Sequence, residues 1–455
     1  MGCQASWGKF RMYKAGIAKI DITPPPGLMM EGNARVEGAK GVHDPLFCRV
    51  LAIGDGRQSV LLISLDICAV KNDQAKKIRQ ELAGRTGLPE GNILVAAIHN
   101  HAGPATDLFY ESDPAYMGDM FKRAADAGKA ALSSMTDVTI SLGTGICDDM
   151  AHIRRIRMKD GSLCMNWEGL DPAQAEGPVG RKDSEIILLN FDSPEGERIA
   201  TLVNYANHPA VLAGDNFLYS RDWPGVLVDG LEEHFGGVAI FFNGATGNIN
   251  HIDIYNPEQG RGFSEVDRLG YMLLKAVIPV AESASPISDG EVRAVAGEIE
   301  IPHRRISIEA LAHARKILAR NKGKKEALVD GLSESVYASE LFKLAEMQDS
   351  PAVIPLQVIA VGDVAIAAIP GEPFAELALD IKSESPFSKT LVTSYANGYQ
   401  GYIPTREAFA EGGYEVVPTS LSSSLDEGAA ETVVSALLEM LRQLHEEIHD
   451  KYRQS

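Results

Sequence analysis

The chain has 455 residues, 45% of them hydrophobic and 23% charged, a mix that excludes intrinsic disorder, collagen-like repeats and a disulfide-dense miniature. Its 43 Lys plus Arg against 62 Asp plus Glu give a formal net charge of −19, a field that repels phosphate backbones and anionic lipid surfaces and argues against nucleic acid as a partner. The length allows about three domains of roughly 150 residues, or one large domain with insertions.

Residues 1–12 read as a leader. MGCQASWGKF lacks the apolar run of a signal peptide, which points to a cytoplasmic chain. It also matches the Met-Gly-x-x-x-Ser myristoylation pattern, with Cys3 alongside, and a disordered leader accounts for it as simply. From about Met12 to Val70 the chain is strand-rich, with AGIAKIDITPPPG, CRVLAIGDG and SVLLISLDICAV divided by Pro and Gly at the turns. Helical patterns follow in NDQAKKIRQELAGRTG and from Pro114 to Met135. Short β-branched runs then alternate with helices in EIILLNF, IATLVNYANHPA and GGVAIFFNGATGN, predicting an α/β layered domain whose strands are buried on both faces. From about Ile306 to Asp349 the composition turns to Ala, Lys, Glu and Leu at helical spacing, with NKGKK as the turn; residues 306–350 are read as a helical insertion. PLQVIAVG, VAIAAIPGE and TLVTSYANGY follow, and an amphipathic helix from about Glu427 to Lys451 ends the chain. With no repeat and no low-complexity linker, residues 13–455 read as one mixed-sheet α/β catalytic domain. No apolar stretch nears the roughly 18 residues of a membrane span, so stable membrane insertion is not expected.

Several motifs fail on inspection. The five cysteines, Cys3, Cys48, Cys68, Cys147 and Cys164, are odd in number, widely spaced and without a CxxC pair, so they read as reduced core residues. His445-Glu446-Glu447-Ile448-His449 is a literal HExxH, but a third zinc ligand usually lies downstream and only six residues follow, so the match reads as accidental. No GxSxG elbow occurs, NGATGNIN lacks the Lys-Ser/Thr of a phosphate loop, and no GxGxxG opens a helix.

What remains is a recurring construction in which an apolar run ends in polar or metal-capable residues. NILVAAI ends in His99-Asn100-His101, TLVNYAN in His208-Pro209, VAIFF in Asn243-Gly244 and the turn to Asn250, VAIAAI in Pro370-Gly371-Glu372, and TLVTSYAN in Gly398-Tyr399 and Gly401-Tyr402. Ligands gather beyond the carboxyl ends of strands in open α/β sheets, so these five ends can converge on one pocket. His99 and His101, two apart, share a side if the strand continues. Spacing alone supports two readings of His99, His101 and His208, a metal site or hydrogen-bonded core histidines. Asn250 and Tyr399 are taken as substrate-facing.

The ordered set GIAKIDITPP, GVHDPLFCRVLAI, ILVAAIHNHAGP, NYANHPA, FFNGATGNIN, PGEPF and NGYQGYIPTREAF with GGYE, running from about Lys14 to Glu415, resembles the neutral/alkaline non-lysosomal ceramidase family. The resemblance implies a zinc-dependent amidase. It further implies Zn²⁺ ligation by His99, His208, Glu372 and Tyr402, proton transfer by His101, and contact of Tyr414 with the scissile carbonyl. Arg154 of HIRRIRMKDG resembles the family's substrate-contacting arginine, with a surface arginine run as the alternative, and Tyr402 can instead be a hydrogen-bonding neighbour of the metal. Two imidazoles and one carboxylate cancel only part of the zinc charge, which lets a bound water ionise near pH 7. Amide cleavage also needs a proton delivered to the leaving nitrogen, the part assigned to His101.

Two departures bear on the substrate. Where ceramidases carry a serine in a Gly-Asp-x-Ser turn, this chain has Gly247-Asn248-Ile249-Asn250, so no acyl-enzyme is expected at Asn250. The chain also stops soon after the catalytic region, where ceramidases continue into a β-sandwich. The expectation is therefore a cytoplasmic zinc hydrolase of a small soluble amide, linear or cyclic. Ceramide or another N-acyl lipid is the alternative substrate, and a non-catalytic ligand-binding homologue is the rival from another class. The oligomeric state, a homo-oligomer included, is left open. Asp21 and Asp66 are expected to brace strand ends. His43, Asp44 and Asp222 lie in loops that can face the pocket, and His251 and Asp253 follow the Asn250 turn.

Overall fold

The computed structural model describes residues 13–288, 290–324, 326, 328–329 and 332–453; the leader and Cys3 lie outside them. The large sheet contains β1 (Tyr13–Asp21), β2 (Phe47–Gly54), β3 (Ser59–Leu65), β4 (Ile93–Ala97), β5 (Thr136–Ile146), β6 (Glu185–Asp192), β7 (Arg198–Tyr205) and β8 (Val238–Asn243). Their order is β8-β7-β6-β5-β1-β2-β3-β4, with the short strand Ser285–Pro286 also paired to β5. The β3/β4 and β7/β8 pairs are parallel, and the other pairs along that order are antiparallel. The parallel pairs need crossover connections, and α1 (Asn72–Thr86) and α3 (Trp223–Phe235) supply them; α2 (Pro114–Ser133) and α4 (Phe263–Glu282) pack on the same face.

A second sheet, in the order β9 (Val292–Ile301), β10 (Ala352–Val361), β11 (Val364–Ala368), β12 (Lys389–Thr393), ends in the parallel pair β11/β12. Strand periodicity sends alternate side chains to opposite faces. In β2, Val50 and Ala52 join the helix-side core, whereas Leu51 and Ile53 join a middle core with Ile359, Val361, Ile366 and Leu391 of the second sheet. The far face of the second sheet buries Leu356 and Val358 against α7 (Ala375–Glu384) and α8 (Ala429–Arg453). The result is a helix, sheet, sheet, helix stack, which is why so many strands read as continuous apolar runs.

Between β9 and β10 stand α5 (Ile308–Asn321) and α6 (Glu334–Met347), packed on each other. Ser307 and Ser333 cap them by accepting from Ala310 N–H and Val336 N–H.

Candidate active site

The carboxyl ends of the three parallel pairs meet. Ala97 N–H donates to Tyr395 O, Ser394 N–H to Asn243 O and Asn397 N–H to Val95 O, tying the exits of β4, β8 and β12 together. Glu372 N–H donates to Gly401 O, and Gly247 N–H to Pro373 O. A Cβ on Gly247 would stand 2.3 Å from Glu372 O, so the glycine of NGATGN permits a close backbone crossing.

His99 and His101 come together by a route different from the expected one. The strand ends at Ala97, and His99 has φ 67°, the left-handed region that non-glycine residues rarely adopt outside functional sites. That turn, not the pleat of a continuing strand, brings His101 Nε2 to 3.2 Å from His99 Nε2. His208 Nε2 lies 3.0 Å from His99 Nε2. Each ring has its other nitrogen on an oxygen acceptor: His99 Nδ1 on Cys68 O at 2.8 Å, His101 Nδ1 on Asn33 Oδ1 at 3.2 Å and His208 Nδ1 on Thr246 O at 3.3 Å. These acceptors place the ring proton on Nδ1 and turn the Nε2 lone pairs inward.

Glu372 faces the same point, its Oε2 lying 3.7 Å from His99 Nε2 and 3.8 Å from His208 Nε2. That oxygen is buried without a hydrogen-bond partner, whereas Tyr399 OH donates to Oε1 at 2.6 Å. Converging lone pairs and an orphaned carboxylate oxygen repel one another unless a cation lies between them. His99, His208 and Glu372 offer donor atoms all within 4.8 Å of one another, and tetrahedral zinc at about 2.05 Å from nitrogen would separate two ligand nitrogens by about 3.3 Å. The residues present therefore fit a metal ion.

Burial pushes the imidazoles down, His99 to about 3 and His101 and His208 well below the usual range, and the Arg154 charge adds to it. Burial raises the Glu372 carboxyl to about 7, against the opposing pull of Arg154 and of its two tyrosine neighbours, Tyr399 and Tyr402. Arg154 is buried, not on the surface: its Nε donates to Glu415 Oε1 at 2.7 Å, and its Nη2 has no hydrogen-bond partner. Its guanidinium lies 5.0 Å from the Tyr402 ring centre, 5.3 Å from Trp167 and 5.8 Å from Tyr414. Burial works to lower its pKa, but Tyr402, Glu415 and Glu372 hold it above the ordinary value.

Tyr402, buried, contacts both Glu372 and Arg154 and packs edge to face with Tyr414 at 5.7 Å. Asn250 lies further along the turn with its amide committed to Asn166, each Nδ2 donating to the other's Oδ1 at 2.7 and 2.9 Å. Of the other residues read from the sequence, Asp66 braces β2 through Phe47 N–H and Arg49, and Asp21 accepts from Thr23 N–H. His43 stacks on Phe263, Asp44 holds Arg221, and His251 interacts with Glu265. Asp222 caps α3 and accepts from Val211 and Leu212 N–H, so it braces the loop leaving His208.

Sequence reasoning did not single out Asn33, Tyr395, Thr246 or Glu415. Tyr395 has φ 55°, stacks on His99 with ring centres 3.9 Å apart and bonds Thr246 Oγ1 through its hydroxyl. Asn33 follows Gly32, where φ is +91° and a Cβ would fall 2.5 Å from His101 Cγ; the Gly-Asn pair was its one signal.

Comparison with known proteins follows the same outline. The profile described as neutral/alkaline non-lysosomal ceramidase, N-terminal, matches residues 13–245, more than half of the chain. Neutral ceramidase 1 of Arabidopsis thaliana is 32% identical over 243 residues, 49% of this chain and 29% of that protein. The neutral ceramidase of Oryza sativa subsp. japonica is 31% identical over 103 residues, 22% of this chain and 13% of that protein. The matched segments thus span less than a third of these relatives. The crystal structure of neutral ceramidase from Pseudomonas aeruginosa superposes with a TM-score of 0.72 at 17% identity, covering 96% of this chain and 75% of that one. A ceramidase complexed with C2 gives 0.74 at 17% identity, covering 96% and 76%. At that identity the likeness establishes a shared fold.

Proposed function

Because the chain belongs to the neutral/alkaline non-lysosomal ceramidase family, a family of hydrolases acting on a C–N amide bond, we propose that it hydrolyses an amide with the aid of a zinc ion held by His99, His208 and Glu372, with Tyr402 completing or flanking the set. The observation that carries this reading is the meeting of inward-facing Nε2 atoms with the unpartnered Glu372 Oε2. When bound, zinc supplies a Lewis acid that lowers the pKa of water toward about 7. The protein's own groups do the rest. His101, neutral at pH 7 and anchored through Asn33, accepts a proton at Nε2 and returns it to the leaving nitrogen. Arg154, whose Nη2 is unpartnered, and Tyr414 beside it hold the carbonyl oxygen as negative charge develops. Asn250 has no nucleophilic oxygen, so the reaction proceeds without an acyl-enzyme at that position.

The choice of amide rests on the relatives. The curated ones are neutral ceramidases and one matched structure holds C2, which moves the first choice from a small soluble amide to the amide of an N-acylated sphingoid base. A soluble amide, linear or cyclic, is retained as the second reading because a charge of −19 repels an anionic bilayer. The test is turnover by the zinc-loaded protein of short- and long-chain ceramides in neutral detergent micelles, beside a panel of soluble N-acyl amides. Ceramide cleavage is expected. Cleavage of soluble amides alone selects the second reading, and failure on every amide with zinc bound favours the non-catalytic homologue.

A further inference from the structure

The HExxH match in the last helix has a third donor after all, and it comes from upstream. His445 and His449 sit one turn apart on α8, their ring centres 4.1 Å apart. The helix buries Leu444 and Ile448 on the second sheet and so delivers both rings to the β10–β11 hairpin. Asp363 occupies the two-residue tip of that hairpin, after Gly362, whose φ of +59° makes the tight reversal. Asp363, His445 and His449 offer donor atoms all within 4.8 Å of one another, each residue partly exposed. His449 Nε2 is buried without a hydrogen-bond partner. His445 is backed edge to face by Phe387 at 5.1 Å, which fixes its ring. Glu446 and Glu447 are exposed.

We propose that Asp363, His445 and His449 form a second divalent-metal site, separate from the one at His99, which clips the C-terminal helix to the hairpin tip. Two imidazoles and one carboxylate suit zinc, whereas calcium demands six or more oxygens. Three protein donors leave a coordination position for water, and partial exposure makes the ion exchangeable. Glu446, at the position of the general base in a zinc protease, is exposed on the helix surface, and the role assigned to the site is structural, holding the helix to the hairpin. Sequence order hid the third ligand because it is contributed by a different sheet strand pair.

Equilibrium dialysis against zinc, with metal counted per chain, tests this on the full-length protein. The wild type is expected to bind two zinc ions, and His449→Gln, Asp363→Asn and His208→Ala one each. The double variant His208→Ala/His449→Gln should bind none. Asp363→Asn, which preserves shape, should weaken the second ion by at least about tenfold, the scale at which even outer partners of a metal site act. A single ion in the wild type that is lost in His449→Gln and kept in His208→Ala would support this site while removing the zinc from the proposed catalytic centre. Equal zinc binding by the wild type, His449→Gln and Asp363→Asn overturns the proposal, as does calcium filling the site equally well.

Discussion

His101 and His208 share the same cluster, yet their surroundings assign them different work. His208 is buried and meets Glu372 Oε2 at 3.8 Å, whereas His101 is partly exposed, its Nε2 3.2 Å from His99 Nε2 and its ring edge-on to His208 with centres 5.1 Å apart. Replacement of His208 by Ala is therefore expected to remove the ion of this site, one of the two counted for the wild type, together with activity. His101→Ala should keep the metal and lower kcat by about 10²–10⁴-fold, the usual value of a positioned proton-transfer group. Metal analysis beside steady-state kinetics separates the two, and metal loss in His101→Ala would make it a ligand instead. Glu372 adds a pH signature to the metal-free protein. Its folded pKa of about 7 stands above the ordinary 4.5, so its contribution to stability is complete below about 4.5 and is lost as pH rises through 7, a change on the order of 3 kcal/mol. Glu372→Gln removes that loss. After chelation, denaturant unfolding should find Glu372→Gln more stable than wild type at pH 8 and about equal at pH 4; an unchanged difference between the two pH values would contradict the assignment.

At the scale of elements, the site depends on how helix and strand ends are secured. Asp222 is buried at the head of α3 with φ 56°, and accepts from Trp223, Val211 and Leu212 N–H. Trp223 Nε1 in turn donates to His208 O. One carboxylate thus satisfies a helix terminus and fixes the loop that leaves a proposed metal ligand. Asp222→Ala should cost about 2–4 kcal/mol, a lost cap plus two orphaned N–H groups, and should weaken metal binding although Asp222 is not among the donors. Urea unfolding and metal titration of the same variant check both halves; a loss of stability with unchanged metal affinity would limit Asp222 to the cap. The sequence placed Asp222 in a loop able to face the pocket, and the Asp-Trp-Pro order is also a helix start with proline at the first turn. Which of these it served depended on the returning loop at Val211, which the local sequence does not encode.

Over the whole molecule, the middle core makes the two sheets one folding unit. Leu202 on β7 is fully buried in the cluster it shares with Ile366 and Leu391 of the second sheet. Leu202→Ala should destabilise by about 2–5 kcal/mol. Far-UV circular dichroism and tryptophan fluorescence should fall in one coincident transition for both proteins, since neither sheet can expose that face alone. Separate transitions by the two probes would divide the sheets into independent units.

The sequence determined the layered α/β class and the positions of most long strands and helices, because apolar runs and turn residues are local properties; it marked His99, His101, His208, Glu372 and Tyr402 as polar strand ends, and the roles proposed for them are those the family resemblance implies. Arg154 was singled out only through the family resemblance, with a surface arginine run as the alternative, since its burial against Glu415 joins segments far apart in the chain. The tertiary structure alone decided the rest. The left-handed turn at His99 replaced the pleat that was expected to align the two histidines, and Tyr395 was needed to stack beneath it. Asn33 and Thr246, the latter inside NGATGN, set the ring orientations through contacts with distant segments, and the β10–β11 hairpin set Asp363 beside the two histidines of the last helix. Each of these depends on backbone geometry or on contacts between distant segments, and neither quantity is written in the spacing of residues along one segment.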